Sequence, residues 1–338
     1  MFPHVLVTGG AGFIGSHYVT ALLGPDGPPV ASVTVLDKLT YAGDLANLAS
    51  VAGDPRLTFV HGDVCDEALV DSLVARTDHI VHLAAESHVD RSLIDGGAFV
   101  RTNVLGTQTL LDAALRHGRG PFVHVSTDEV YGPVPTGSSI ESDPLRPSSP
   151  YSAAKAAGDL VALSYAVSHG LDVRVTRCSN NYGPRQYPEK VIPLFVGRLL
   201  DGGRPPLYGD GTQVRDWLHV EDHVRALELV RTKGSSGNVY NVGGGTELTN
   251  NELTDLILKV CGAGWDRVDR VGDRPGHDVR YSVDWSKARD ELGYAPRHDF
   301  VDGLNRTVEW YRENRGRWEP ERLHRPLPAQ EVRPHVHR

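Results

Sequence analysis

The sequence predicts an α/β protein built on a doubly wound parallel sheet, with a smaller, interleaved α/β region toward the C-terminal end. Three observations carry this expectation. Over the first 180 residues, short β-branched and apolar runs alternate with longer segments of helical periodicity, the pattern of β-α-β crossovers covering both faces of a sheet. A glycine-rich stretch, TGGAGFIG, ends the first run and opens the first helical segment. After about residue 180 the alternation breaks into blocks rich in Pro, Gly, Asp and Arg.

In chain order the expected strands are VLVTG (5–9), SVTVLD (32–37), LTFVHGD (57–63), HIVHLAA (79–85), FVHVST (122–127) and DVRVTRC (172–178). Between them helices are expected near 13–23, 66–75, 98–117 and 152–168. Beyond residue 180, NNYGP, PLYGDG, VRDWLHVEDH, NVGGG and DRPGHD punctuate the chain, with helices expected at 190–201, 219–231, 250–260 and 302–315. Residues 1–180 therefore form the sheet domain, with later segments contributing, and 181–318 mainly the smaller region. The tail 319–338 is Pro- and Arg-rich without apolar periodicity and is expected to be poorly ordered.

Composition narrows the function. A chain of 338 residues with a 40% hydrophobic fraction can build a sizeable core. No apolar run approaches ~18 residues, and MFPHVLVTGG lacks a basic-then-apolar leader, so a cytoplasmic protein without a membrane partner is expected. The net charge of −8 and the lack of a long Lys/Arg block argue against nucleic acid as a partner. Cys65, Cys178 and Cys261 have neither disulfide-framework nor metal-ligand spacing; buried thiols and no metal are expected.

TGGAGFIG places Gly9, Gly12 and Gly15 in a strand-to-helix turn, and Gly10, Gly12 and Gly15 also satisfy G-x-G-x-x-G. Glycines there let the backbone approach a pyrophosphate, and the helix N-terminus offers N–H groups to it. Asp37, ending the second strand at about the expected ~20 residues on, can accept hydrogen bonds from an adenosine ribose and would repel a 2′-phosphate. This is a Rossmann-type signature, and it favours NAD over NADP; Lys38 next door pulls the other way. Asp63, after the third strand, reads equally as an adenine contact or a turn or capping residue.

SPYSAAKAAGDL puts Tyr151 and Lys155 at i and i+4, on one face of a helix. Alone this is a solvated helix face; behind a dinucleotide site, with Thr127 at a strand tip, it becomes a redox pair. A nearby ammonium and a positive nicotinamide ring both favour the phenolate, which can remove a hydroxyl proton as hydride leaves the same carbon. Next to Thr127 the chain sets two acids side by side, Asp128 and Glu129. Adjacent charges repel, which tends to keep one of them protonated; the bland alternative is a polar turn with Asp128 as a cap.

TGGAGFIG, Thr127 and the Tyr151/Lys155 pair together resemble the extended short-chain dehydrogenase/reductase family over roughly residues 3–315. STDEVYG, AAESHVDRS, SNNYGP, PLYGDG, RDWLHVEDH and DRPGHD are similar to the nucleotide-sugar dehydratases within it. The resemblance implies a dTDP-linked glucose as substrate and a lyase reaction: oxidation at C4 through Tyr151 and NAD, elimination with Glu129 as base at C5 and Asp128 as acid at the C6 hydroxyl, then hydride return to C6. It implies a cofactor cleft that also takes Phe13, Ile14, Leu39 and Thr40, with Val64 behind Asp63. It adds Leu83, Ala84, Ala85 and Ser87 from the AAESHV loop, then Thr102 and Asn181.

For the nucleotide sugar the resemblance implies Ser87, Thr127, Asn180, Lys190 and Val191. It further implies Pro206, Leu207, Tyr208, Arg215 and Asn250, with Asp273, Arg274, Pro275, Gly276 and His277 closing over the nucleotide. Arg215 suits a diphosphate, or else a salt bridge with Asp216 or Asp222. Tyr208 stacks on a pyrimidine or anchors a loop. His82 and His88 match no catalytic position. Apolar residues on more than one face of helices 98–117 and 152–168 fit the homodimeric four-helix contact usual in the family, or burial under a local loop. The rival readings are a 4-epimerase or another nucleotide-sugar dehydratase, and a non-catalytic NAD-binding regulator.

Overall fold

Six strands form in the order expected: β1 (His4–Thr8), β2 (Ser32–Asp37), β3 (Leu57–His61), β4 (His79–His82), β5 (Phe122–Thr127) and β6 (Val173–Cys178). The structure, a computed structural model, describes residues 2–273 and 278–318. The expectations for Arg274 to His277 and for the tail lie outside the described residues. Four shorter strands and one longer one follow, β7 (Asn180–Tyr182), β8 (Pro206–Tyr208), β9 (Val214–His219), β10 (Asn238–Val242) and β11 (Glu247–Thr249), then β12 (Asp269–Val271).

Seven strands make one parallel sheet in the order β3-β2-β1-β4-β5-β6-β10. The order reverses between β1 and β4, which opens a crevice at the carboxyl ends of those strands, where α/β sheets hold their ligands. β1 explains why the sheet is covered twice. Val5 and Val7 face one core and Leu6 the other, and all three are buried. Each such side chain contributes about 1.5–3 kcal/mol by leaving water.

The helices are α1 (Phe13–Leu23), α2 (Glu67–Val74), α3 (Val89–Ile94), α4 (Gly96–Val100), α5 (Gly106–His117), α6 (Pro150–His169), α7 (Val191–Leu200), α8 (Val220–Lys233), α9 (Asn250–Cys261), α10 (Ser286–Leu292) and α11 (Phe300–Glu313). One core lies between the sheet and α1, α8 and α10; the other lies under α2, α5 and α6. The helix expected at 98–117 begins at Gly96 and contains a π turn, Arg101–Leu105, between α4 and α5. α6 packs close to that turn because Gly158 has no Cβ, which would lie 2.7 Å from the Asn103 carbonyl.

The second region has its own core, in which Ile192, Phe195, Trp217, Ile257, Leu304 and Trp318 meet beneath α7, α9 and α11. The chain reaches it through β7, α7, β8 and β9, returns along α8 to place β10 beside β6, and leaves again. That return strand was not among the sequence expectations. The expectation of three buried thiols is corrected: Cys178 is buried, whereas Cys65 and Cys261 are partly exposed, and all three are unpaired. Among the described residues no helix is long and apolar enough to cross a membrane.

Candidate active site

The glycine turn folds as its spacing requires. Gly9 takes φ +71° and approaches β4 so closely that a Cβ would lie 2.7 Å from the Ala84 nitrogen; at Gly15 a Cβ would lie 2.2 Å from the Gly9 carbonyl oxygen. Gly12 caps α1 without a side-chain bond, so the first N–H groups of the helix are left for an anion. Asp37 accepts from Ala11 N (2.9 Å) and Leu39 N (2.8 Å), which fixes the β2 tip against the glycine loop. Lys38 pairs with Asp63 at 2.7 Å, so the cation that argued for a 2′-phosphate is engaged by a carboxylate. Asp63 also accepts from Cys65 N (3.0 Å), making it both a turn residue and part of the wall.

These residues line one cleft with the catalytic candidates. Gly9, Gly12, Phe13, Ile14 and Gly15 form its floor, and Asp37, Lys38, Thr40, Asp63 and Val64 one end. Leu83, Ala84, Ala85, Ser87 and Thr102 form a wall. Thr127, Asp128, Glu129, Tyr151 and Lys155 face them, with Asn180, Asn181 and Lys190 beyond. Leu39 is the exception: at φ 51° its side chain packs on the core instead of lining the cleft. The cleft fits a dinucleotide, since a crowded glycine cradle, an open helix N-terminus and an acidic strand tip converge on it.

Each catalytic candidate is positioned by local structure. Ser149 caps α6 through a capping box with Ser152, and Pro150 takes the first turn, so the helix starts one residue before Tyr151. Phe99 meets the Tyr151 ring edge-on at 6.2 Å. Lys155 donates to the Val125 carbonyl at 2.6 Å. At the end of β5, Thr127 caps the turn Asp128–Tyr131: its Oγ1 accepts from Glu129 N (3.3 Å) and donates to Asp128 Oδ1 (3.1 Å). Asp128 is buried and its Oδ2 has no hydrogen-bond partner.

Burial raises both the Asp128 carboxyl and the Tyr151 phenol. Burial, then the Glu129 and Asp216 carboxylates, push the Asp128 carboxyl well above the ordinary range, against the Thr127 hydrogen bond and Arg215. Burial and then Glu129 also push Tyr151 well above an ordinary phenol, with Thr127 opposing. The rise comes from desolvation of the phenol beside a carboxylate. Lys155 itself is shifted down by burial, against Asp159 and Cys178.

Beneath Lys155 lies a buried charged network. Arg177 Nε donates to Asp159 Oδ2 at 2.9 Å, His124 Nε2 faces Asp159 Oδ1 at 3.4 Å, and Arg177 donates to the Tyr131 hydroxyl at 2.8 Å. His82 is a structural core histidine between Thr8 (2.7 Å) and Thr107 (3.0 Å). His88 lies 3.9 Å from Glu189.

The remaining sugar-site candidates form a second group. Val191 starts α7 and packs on the second core, and Pro206, Leu207 and Tyr208 make up β8, with Leu207 buried in that core. Asn250 donates to Gln213 (3.3 Å), which donates to Asp273 (3.4 Å). Arg215 donates to the Val214 (2.7 Å) and Asp278 (3.1 Å) carbonyls and lies over the Tyr281 ring. Its neighbour Asp216 accepts from Gly244 and Thr246, and Asp222 pairs with Arg225; alternation along β9 sends Arg215 and Asp216 to opposite faces.

Glu86 lines the cleft within the AAESHV wall expected at 84–89, and Glu189, Gln186, Tyr187 and Cys178 line it without having been anticipated. Position after NNYGP, and at the end of the sixth strand, was the available signal. Away from the cleft, His219, Glu221 and His298 come together. His219 Nδ1 accepts the Glu221 N–H at 3.3 Å, which leaves its proton on Nε2, and His298 faces Glu221 and Asp222 at 3.0 and 3.1 Å. The three form an acid–imidazole cluster away from the cleft.

Comparison with known proteins is consistent with this cleft. The model of the GDP-mannose 4,6 dehydratase family matches residues 6–307. The dTDP-glucose 4,6-dehydratase of Streptomyces antibioticus is 64% identical over 322 residues, covering 94% of this chain and 95% of that protein. That of Streptomyces griseus is 63% identical over 320 residues, covering 95% and 97%. The structure of the dTDP-glucose 4,6-dehydratase DesIV from Streptomyces venezuelae, solved with NAD and dTDP bound, matches with a TM-score of 0.92 at 59% identity, over 94% of this chain and 99% of that one.

Proposed function

Because the chain belongs to the GDP-mannose 4,6 dehydratase family, we propose that its reaction is the dehydration of dTDP-glucose to dTDP-4-keto-6-deoxyglucose with a retained NAD. Relatives of that activity at 60–64% identity over most of the chain support the substrate. The observation that carries the reading is the meeting of Thr127, Tyr151 and Lys155 with the acid pair Asp128 and Glu129 in one cleft. A 4-epimerase needs the first three and has no use for the pair.

NAD, when bound, supplies the hydride acceptor at C4 and afterwards the donor at C6, and it is Gly9, Gly12, Gly15, Asp37 and the α1 N-terminus that would hold it. Tyr151 removes the C4 hydroxyl proton. Burial and Glu129 raise the phenol, and the positive charge of an oxidised ring beside it would oppose that rise. Thr127 has one hydroxyl proton to give, to Asp128 or to a Tyr151 phenolate, so ionising the tyrosine draws it away from the acid. The C4 ketone acidifies the C5 hydrogen, which Glu129 removes, and a proton is returned to C5 when hydride reaches C6. Asp128, kept protonated by burial and its neighbours, gives its proton to the C6 hydroxyl so that water departs.

Ser87, Asn180 and Lys190 fit the sugar end, with Asn180 Oδ1 buried and unpartnered. Arg215, Asn250 and Asp273 fit the nucleotide, which assigns residues 181–318 mainly to it. Val100, Leu105, Leu160 and Val167 expose an apolar face on the α4–α5 run and α6, which supports a homodimer through those helices. Three unpaired thiols suit the reducing cytoplasm. Incubation with dTDP-glucose and mass analysis of the sugar tests the reading: loss of one water is expected, and an isomer of unchanged mass or unaltered substrate would overturn it.

A further inference from the structure

The last described segment, Asn314 to Trp318, spans the two loops that bound the cofactor side of the cleft. On one side the Arg317 guanidinium donates to Asn47 Oδ1 at 2.8 Å and to Asp44 Oδ2 at 3.1 Å. Asn47 is buried, and its amide donates to the Ala11 carbonyl at 2.9 Å, as does Asp44 N at 3.1 Å. Ala11 belongs to the glycine turn and donates to Asp37. Arg317 is thus one side chain removed from the backbone that would cradle the pyrophosphate.

On the other side, Trp318 meets Tyr187 edge-on at 6.0 Å, and in the preceding helix α11 the Tyr311 hydroxyl donates to the Gln186 carbonyl. Tyr187 in turn meets Tyr41 edge-on at 5.4 Å, joining the two lips. Gln186, Tyr187, Ala42 and Gly43 all line the cleft, whereas Arg317 and Trp318 do not. Between segment and lips is a hollow of about 330 Å³, bounded by Tyr41, Asp44 and Tyr187 on one side and Arg317 and Trp318 on the other. Trp318 is anchored in the second core, with Tyr187 packed against it, so the segment is held at one end while Arg317 reaches the opposite lip through hydrogen bonds alone.

We infer that this segment is a latch on the cofactor site and that Arg317 is its positioning residue, holding the 44–47 turn, and through Asn47 the glycine loop, against the 186–187 lip. A dehydration that returns its hydride in every cycle has no need to exchange its dinucleotide, and the latch slows that exchange. The inference rests on the cofactor reading above. Removing Arg317 loses two hydrogen bonds, one to a carboxylate, which corresponds to release on the order of tenfold faster.

The test uses the full chain and its Arg317→Ala and Arg317→Lys variants, each loaded with NAD, desalted and followed for retained nucleotide and for release on dilution. Circular dichroism melting checks the fold. Expected are release on the order of tenfold faster for Arg317→Ala, an intermediate rate for Arg317→Lys, a KM for added NAD raised in step, and kcat at saturating NAD within about twofold of the parent. Unchanged release from Arg317→Ala, or lost kcat at saturating NAD with unchanged release, overturns the latch. A parent that holds NAD but leaves dTDP-glucose intact would overturn the substrate reading, and the release comparison would still decide the latch.

Discussion

Replacing Thr127 by valine removes one hydroxyl and little volume, and the geometry says which step should suffer. Thr127 accepts from Glu129 N at 3.3 Å, donates to Asp128 Oδ1 at 3.1 Å and opposes the upward shift of the Tyr151 phenol. A hydrogen bond to a charged group contributes about 1.5–3 kcal/mol, so losing the donor to the phenolate should slow C4 oxidation by about 10- to 150-fold. The elimination should be spared, because the same bond lowers Asp128, and its loss leaves that acid more firmly protonated. Single-turnover mixing of NAD-loaded protein with dTDP-glucose reads the first step as reduced-nicotinamide absorbance, and its alkaline shoulder should move to higher pH. Unchanged oxidation with a slowed loss of water would refute the assignment of the Thr127 proton.

Glu129→Gln should slow incorporation of solvent deuterium at C5 by about 10²–10⁴-fold while reduced nicotinamide still forms; exchange at the parent rate would remove Glu129 as the base. Gly15→Ala drives a Cβ to within 2.2 Å of the Gly9 carbonyl, and the forced shift should weaken NAD binding about 10- to 100-fold, measurable by fluorescence titration. Asp159→Asn leaves Arg177 as a buried cation without its carboxylate and should cost about 3–5 kcal/mol in denaturant unfolding. Burial alone would raise Asp159, but His124 and Arg177 outweigh it and hold the carboxyl below its ordinary value. The parent's advantage over Asp159→Asn should therefore be complete above the ordinary carboxylate pKa and shrink as pH falls through the depressed one. Leu160→Glu, on the exposed face of α6, should turn a dimer into a monomer in sedimentation velocity; an unchanged sedimentation coefficient would place the interface elsewhere.

The parts of the site legible in the sequence are those fixed by local chemistry. The glycine spacing, Asp37 at the second strand end and Tyr151 four residues before Lys155 each follow from backbone geometry within one element, and all of them reach one cleft. The contributions of β10 and of the C-terminal segment were not legible, because nothing local to NVYNV says that it returns beside β6, and nothing local to Arg317 points to Asn47 across a separation of 270 residues. The side-chain direction of Leu207 was not legible for a related reason. A strand residue chosen by motif position has two faces, and pairing with β12 leaves its side chain in the core.

Tyr151 makes the same distinction inside the active site. Its charged neighbours could be read from the chain, and from charges alone a phenol near an ammonium should ionise easily. Burial, a property of the whole fold, raises the phenol ahead of Glu129, while Lys155 gives one of its three N–H groups to the Val125 carbonyl. A positive dinucleotide ring beside the phenol would oppose that rise and favour its action as a base. The same burial, with Glu129 and Asp216, raises the Asp128 carboxyl, the direction that the acid of the proposed elimination requires.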